Sequence, residues 1–437
     1  MKIIIVNHGY PQRYNAGSEI YAQTLAHGLL HQGHKVAIFS RKEDSSRPEY
    51  EIEIDEDSEE PGIKLHLVNM ANSRDRYRHN EVDARFRELV EQFRPDVVHV
   101  GHLNHLSTGI VHVASSLGVP TVFTLHDYWL MCPRGQFVQT NSGGAESWKL
   151  CDGQDDYKCA VSCYSRHFSG LEENLGRDTS YWTSWIGSRM AEIREVSDFV
   201  DLFIAPSQYL LERFSNEFGL ASEKIVYLDY GFDHKRLTGR TRREEMDFVF
   251  GYIGTHTPQK GINLLIEAFS HLRGHARLRL WGRSNGQVTN GLKIMAGQLP
   301  SQYSSRVEWL PEYRNDDIIR EVLNNVDAIV VPSIWVENSP LVIHEAQQAR
   351  VPVIAADIGG MAEHVHHEVN GLLFAPRDPV DLARQMQRFV DDPDLAAKLG
   401  KRGYVKSDSG DVPSIEDHVT AVTSFYERVL RPLRVVA

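Results

Sequence analysis

The chain has 437 residues, 41% hydrophobic and 24% charged, which is material for two buried cores and excludes a disordered or fibrous class. Its formal charge of −12, from 47 basic and 59 acidic residues, argues against general nucleic-acid binding, which rests on neutralising phosphates. The apolar run Ile3–Val6 is too short for a secretory signal, so a cytoplasmic protein is expected.

In chain order, Lys2–Val6 reads as a buried strand, Ser18–Gln32 as a helix that stops at Gly33, and Lys35–Ser40 as a second strand, making a βαβ unit. Asp44–Glu60 is strongly acidic and reads as a solvated surface loop. Arg74, Arg76, Arg78, Arg85, Arg87 and Arg94 crowd one segment, which fits a solvated helix face or a peripheral contact with an anionic acceptor or the inner membrane surface. The stretch Val97–His126 has no Asp, Glu, Lys or Arg. Its five histidines, serines and threonines rule out a spanning helix and suit buried α/β layers.

Further strands are expected at Asp96–Val100, Thr121–Leu125, Leu202–Ala205 and Ile225–Leu228. After the charged linker candidate Asp233–Asp247 a second series follows: Phe248–Ile253, Arg277–Trp281, Arg306–Trp309, Asp327–Val331, Val353–Ala356 and Leu372–Phe374. Strands alternating with helices imply α/β architecture, here two doubly wound Rossmann-like domains facing a cleft. The expected boundaries are 1–232, completed by a final helix in 412–437, and 233–411. Ligands of such sheets bind at the carboxyl ends of strands, which directs attention to Asn7–Gly17, His126–Pro133, Gly254–Gly261 and Ser333–Ser339.

Within Val331–Glu345, Ser339 is a good N-cap and Pro340 a good first helical residue. The amides at that helix start suit a phosphate, whereas Glu345, about 7 Å further along the axis, suits a ribose diol. Glu337 precedes the helix, within reach of polar groups across a diphosphate. Lys260 stands before the helical run Ile262–Phe269, another place where an anion is welcome. Gly17 allows close backbone approach at the first helix, but the segment lacks the GxGxxG of a dinucleotide dehydrogenase. His126–Asp127 follows a strand at the cleft mouth.

Cys132, Cys151, Cys159 and Cys163 fall within 32 residues with eighteen, seven and three residues between them. A structural zinc site and reduced thiols packed beneath a loop are both compatible with that spacing.

Together the motifs resemble the family-four retaining glycosyltransferases of the GT-B fold. The resemblance is carried by AGSE with Gly17 and Glu19, VFTLHD at Val122–Asp127, APS at Ala205–Ser207, the lysine and glycine of PQKGINLLIEAF, and VPSIWVENSPLVIHEAQQARVPVIAADIGGMAEHV with its two Glu residues. It implies a nucleotide-sugar donor on the C-terminal domain, a saccharide or lipid-linked acceptor on the N-terminal domain, no metal required for catalysis, and a part in polysaccharide or glycoconjugate assembly. It implies that Lys260 neutralises the departing diphosphate, Glu345 binds the ribose, Glu337 orients the sugar and His126 meets the reacting carbon. Gly17 and the amides of Ser339 and Leu341 would approach phosphate or sugar oxygens, and Trp309–Tyr313 would edge the nucleobase. Ala16 replaces a family glycine, Arg350 stands where glycine is frequent, and Thr255 replaces an arginine whose charge His256 or Arg283 would supply. The rival readings are a nucleotide-sugar epimerase or phosphorylase on the same fold, and a non-catalytic nucleotide-sugar-binding protein.

Overall fold

Nearly continuous aliphatic and β-branched runs can bury both faces of a strand, and that pattern organises both halves of this chain. A computed structural model describes residues 1–11, 13–72, 77–140, 148–165, 175–243 and 245–431. It divides into two compact units, one of Met1–Gln136, Asp152–Gly231 and Ile415–Ala437, the other of Phe137–Cys151 and Phe232–Ser414.

The first unit carries β1 (Lys2–Val6), β2 (Lys35–Lys42), β3 (Ile52–Glu56), β4 (Lys64–Asn69), β5 (Val97–Val100) and β6 (Thr121–Thr124). After the ribbon β7 (Val138–Gln139) and β8 (Lys149–Leu150) come β9 (Leu202–Ala205) and β10 (Ile225–Tyr227). The sheet order is β10-β9-β6-β5-β1-β2-β4-β3, parallel except for the antiparallel edge strand β3. Helix Gly17–His31 turns Tyr21, Ala22, Leu25, Ala26 and Leu29 inward, the spacing of a helix face laid on a sheet.

The acidic stretch Asp44–Glu60 departs from the expected solvated loop, because β3 runs through it and Asp57 is only 1% exposed. Asp57 Oδ2 accepts from Tyr10 at 2.7 Å, from His27 at 3.0 Å and from Gln23 at 3.3 Å, while Oδ1 takes the amides of Glu59 and Glu60. Burial alone would raise this carboxyl; the bonds from His27 and Tyr10 outweigh it and hold the group well below the usual range.

The returning helix Ile415–Leu430 is fixed to the first unit by buried polar groups. His99 Nδ1 lies 2.7 Å from the Tyr426 hydroxyl and Nε2 lies 2.9 Å from Thr124 Oγ1; His418 spans the Tyr21 hydroxyl at 3.1 Å and the Asp229 carbonyl at 2.8 Å. Burial pushes the His99 imidazole to about 3 and that of His418 to about 4, below the ordinary 6.5. The unfolded chain thus binds more protons below pH 6.5. Stability is full above that pH and falls as the pH drops toward 4, by up to roughly 2 kcal/mol per histidine at pH 5. Denaturant midpoints measured at pH 7 and pH 5 test this; equal midpoints would contradict it.

The second unit holds β11 (Phe248–Ile253), β12 (Ala276–Trp281), β13 (Val307–Leu310), β14 (Ala328–Val331), β15 (Val353–Ala356) and β16 (Gly371–Phe374). Every pairing in this six-stranded sheet is parallel and the order is β13-β12-β11-β14-β15-β16, that of a doubly wound nucleotide-binding sheet. Phe137–Cys151, expected in the N-terminal domain, joins this unit, where Arg377 donates to the Trp148 carbonyl at 2.5 Å. The charged segment 233–247 is no loose linker: Arg240 donates at 2.8 Å to the carbonyls of both Leu323 and Val326, sealing it onto the unit. Arg350 has φ +60°, the conformation for which glycine is preferred, and offsets the strain by bonding the carbonyls of Gln347, Ser409 and Gly410 and the Asp411 carboxylate.

Among the described residues no helix is long and apolar enough to cross a membrane. Of the arginine-rich segment, Arg74 and Arg76 lie outside the described residues. Arg78 pairs with Glu192 and Arg85 with Glu88, each at 3.1 Å, and Arg87 donates to Ser116.

Candidate functional site

In the second unit the strand order reverses between β11 and β14, and open parallel sheets bind ligands outside the strand ends at such a point. After β11, Lys260 ends the short turn Pro258–Lys260, and Gly261 swings at φ +68° into helix Ile262–Phe269. A Cβ at position 261 would lie 2.0 Å from the Pro332 carbonyl oxygen, so glycine lets the loops after β11 and β14 touch. The result is contact between two residues far apart in sequence. Lys260 Nζ donates to Glu337 Oε1 at 2.6 Å, and Ser333 Oγ donates to the same oxygen at 2.6 Å. The Trp335 ring lies 5.7 Å from the ammonium, and the Glu337 side chain is 8% exposed against 32% for Lys260.

The following helix runs Leu341–Gln348 and starts one residue later than expected. Pro340, with ψ 117°, is its N-cap and has no side-chain donor or acceptor to cap the first amides itself, and Ser339, expected to cap, places Oγ 3.2 Å from His364 Nε2. Glu345 is the fifth residue of this helix, and its Oε1 accepts from Arg236 Nη2 at 2.8 Å while Arg236 Nη1 donates to the Asn315 carbonyl at 3.0 Å. Tyr313 shares the corner: burial first, then the Glu345 carboxylate, keeps its phenol well above the ordinary range. Beside it a cavity of about 460 Å³ is lined by Trp281, Leu310, Pro311, Glu312, Tyr313 and Arg314.

The other expected residues of this unit have partners of their own. His256 is buried, with Nδ1 3.2 Å from Thr289 Oγ1 and its ring edge-on to Trp309, so Trp309 turns toward His256 and is absent from the cavity wall that Leu310–Tyr313 help form. Burial and then Lys293 push its imidazole down, leaving a neutral ring in place of the missing arginine charge. Arg283 lies 3.8 Å from Glu312, and the Thr255 carbonyl accepts from Tyr252. Sequence reasoning missed Arg236, whose only signal was membership of a charged segment taken for a linker.

In the first unit the order reverses between β1 and β5. Glu19, in the first turn of helix Gly17–His31, is 4% exposed and lies 3.1 Å from His8 Nε2. Burial would raise its carboxyl, but the bonds from His8, its own amide and Ser18 hold it at about 2. The helix start at Gly17 thus already carries a carboxylate, which opposes phosphate and accepts hydroxyl donors, so the expectation narrows to sugar oxygens.

His126 Nδ1 lies 2.7 Å from the Tyr230 hydroxyl, with the two rings stacked, and burial followed by His102 pushes its imidazole to about 3. The Asp127 carboxylate takes His102 Nε2 at 3.3 Å and the Trp129 amide at 2.7 Å. A Cβ at Gly101 would lie 2.8 Å from Asn7 Oδ1 and 3.6 Å from His126 Nε2.

Cys159 and Cys163 pack with Ala160, Tyr164, Trp182, Ile186 and Met190, while Cys151 belongs to the other unit from Cys132. Among the described residues no cysteine joins a group of three or more ligating side chains close enough to share an ion. The apolar packing of Cys159 and Cys163 suits buried thiols, one of the two readings of the spacing.

Residues 234–406 match the profile described as "Glycosyl transferases group 1". An uncharacterized glycosyltransferase of Methanocaldococcus jannaschii is 30% identical over 32% of this chain, a match that spans only 35% of that relative's own length. The D-inositol 3-phosphate glycosyltransferase of Pseudarthrobacter chlorophenolicus is 23% identical over 90% of this chain and 86% of its own. Among solved structures, Anabaena Alr3699/HepE in complex with UDP-glucose superimposes with a TM-score of 0.66 at 18% identity, covering 97% of this chain and 100% of that one. With residues 16–236, just over half of the chain, matched by the profile described as "Glycosyltransferase Family 4", the chain belongs to glycosyltransferase family 4.

Proposed function

We propose that this glycosyltransferase moves a sugar from a nucleoside diphosphate to a hydroxyl of a saccharide or lipid-linked acceptor, with retention of anomeric configuration. The observation that carries the reading is the meeting of Lys260 and Glu337 at the strand-order reversal of the second unit, next to the start of helix Leu341–Gln348. Lys260 and the amides of that helix start suit a diphosphate, Glu337 suits sugar hydroxyls, and Glu345 keeps Oε2 for a ribose diol while Oε1 holds Arg236. The cavity beside Tyr313, lined by Trp281 and Leu310 among charged side chains, offers room for a base. A donor of this class matches the UDP-glucose in the Anabaena complex.

Bond breaking builds charge on the departing diphosphate, and fixed cationic and amide donors stabilise that charge without a metal ion. The acceptor belongs on the first unit, where Asp127, His102, neutral His126 and Glu19 offer hydroxyl partners. Glu337 is buried, bonded by Ser333 and assigned here to the sugar hydroxyls, a role that does not call for a glycosyl-enzyme bond. Attack from the side of the leaving group, which takes the acceptor proton, is consistent with that and gives retention. The relative from Pseudarthrobacter chlorophenolicus is named for a hydroxylic acceptor, D-inositol 3-phosphate.

A thermal-shift panel of UDP-, GDP- and ADP-sugars tests the donor half, because a ligand that binds the folded state raises stability with its occupancy. One base is expected to raise the midpoint, and release of its nucleoside diphosphate in the presence of acceptor separates transfer from mere binding. A panel without any shift removes the donor assignment; conversion of the sugar nucleotide without acceptor indicates an epimerase.

A further inference from the structure

We propose that the Lys260–Glu337 ion pair makes the sugar a condition for holding the diphosphate, so that the second unit retains a sugar nucleotide and sheds the nucleoside diphosphate left after transfer. The proposal rests on the donor reading above. Glu337 Oε1 accepts both from Lys260 and from Ser333, each at 2.6 Å, and the carboxylate is 8% exposed. A diphosphate that draws Lys260 away leaves this carboxylate with the Ser333 hydroxyl alone, and a buried charge stripped of its counter-ion is penalised. A sugar ring beside Glu337 brings hydroxyl donors that replace the lost bond. A bare nucleoside diphosphate brings none.

Glu337 has little room to swing out and escape this constraint. Its amide donates to the Trp335 carbonyl at 3.0 Å and its carbonyl accepts from the Gly360 amide at 2.9 Å. On the facing side Gly261 holds the lysine loop against the Pro332 carbonyl. Once the sugar has left for the acceptor, the same carboxylate competes with the product for Lys260 and helps to expel it. The neighbouring pair does not discriminate in this way: Glu345 and Arg236 lie by the ribose, which substrate and product share, and Arg236 keeps the Asn315 carbonyl in either case.

Calorimetric titration of UDP and UDP-glucose, with the GDP and ADP pairs alongside, into wild type, Glu337→Gln and Ser333→Ala tests the proposal. In Glu337→Gln the diphosphate meets an unneutralised Lys260, so its Kd falls by about tenfold, the lower end for a hydrogen bond to a charged group. The sugar nucleotide gains less, because it loses a charged partner for its hydroxyls, and the ratio of the two Kd values contracts. Ser333→Ala moves the ratio the other way, by about threefold, since Glu337 then depends on Lys260 alone. If Glu337→Gln does not fold, the Ser333→Ala ratio decides. Sugar-nucleotide binding with unchanged ratios in both variants overturns this proposal alone; no binding of any sugar nucleotide to wild type overturns the donor reading and this proposal with it.

Discussion

Replacing Lys260 by alanine lowers the turnover of donor to nucleoside diphosphate by about 10²-fold or more, the loss seen when one preorganised donor to a developing anion is removed. The fall is expected in kcat more than in KM, because the leaving oxygen carries more charge in the transition state than in the bound donor. A second effect adds to the first. Lys260 neutralises Glu337 at 2.6 Å, so alanine leaves a buried carboxylate facing the diphosphate. The double variant with Glu337→Gln separates the two: it removes the repulsion while the missing cation stays missing. It is expected to recover part of the donor affinity and little of the turnover, a non-additivity that marks contacting residues. Steady-state rates for the two single variants and the double one measure this. Turnover within a few fold of wild type in Lys260→Ala would remove the residue from its role.

The double α/β architecture was legible because parallel strands buried on both faces appear as unbroken apolar runs: Phe248–Ile253 and Val353–Ala356 have the bounds expected, and the rest agree within a residue or two. Lys260, Glu337 and Glu345 were legible as residue types at strand ends and helix starts, and the resemblance to family four supplied their expected roles. What local pattern could not convey was pairing between distant segments. Nothing around Arg236 marks it as the partner of a glutamate more than a hundred residues away, and the acidity of 44–60 concealed Asp57, which the fold buries because Tyr10, His27 and Gln23 converge on it. The spacing of the cysteines likewise leaves a metal site and packed thiols both open; what it could not convey is that Cys159 and Cys163 share a buried cluster with Tyr164, Trp182 and Met190.

Replacing Gly360 by alanine is expected to disable the donor loop by a backbone collision. The added Cβ would lie 1.3 Å from the Asn338 carbonyl oxygen and 3.2 Å from that of Glu337. Both atoms are main chain, so no rotamer change relieves the contact, and the loop after β14 must lift from helix Gly359–His364. Lifting breaks the hydrogen bond from the Gly360 amide to the Glu337 carbonyl and withdraws the carboxylate from Lys260. A cost of about 3 kcal/mol is reasonable, since overpacking costs roughly 1–3 and a backbone clash sits at the upper end. The sheet need not suffer: β14 and β15 keep their pairing at Ile329–Val331 and Val353–Ala355, so far-UV circular dichroism should be retained while stabilisation by the sugar nucleotide is lost. Gly291→Ala is the control of opposite sign. Position 291 lies inside helix Gly286–Gly297 with nothing within 4 Å of the added Cβ, so alanine there should stabilise by roughly 0.5–1 kcal/mol and leave donor binding untouched. A Gly360→Ala protein that melts with wild type and still responds to the donor would show that the close approach of these two loops is not what holds Glu337 against Lys260.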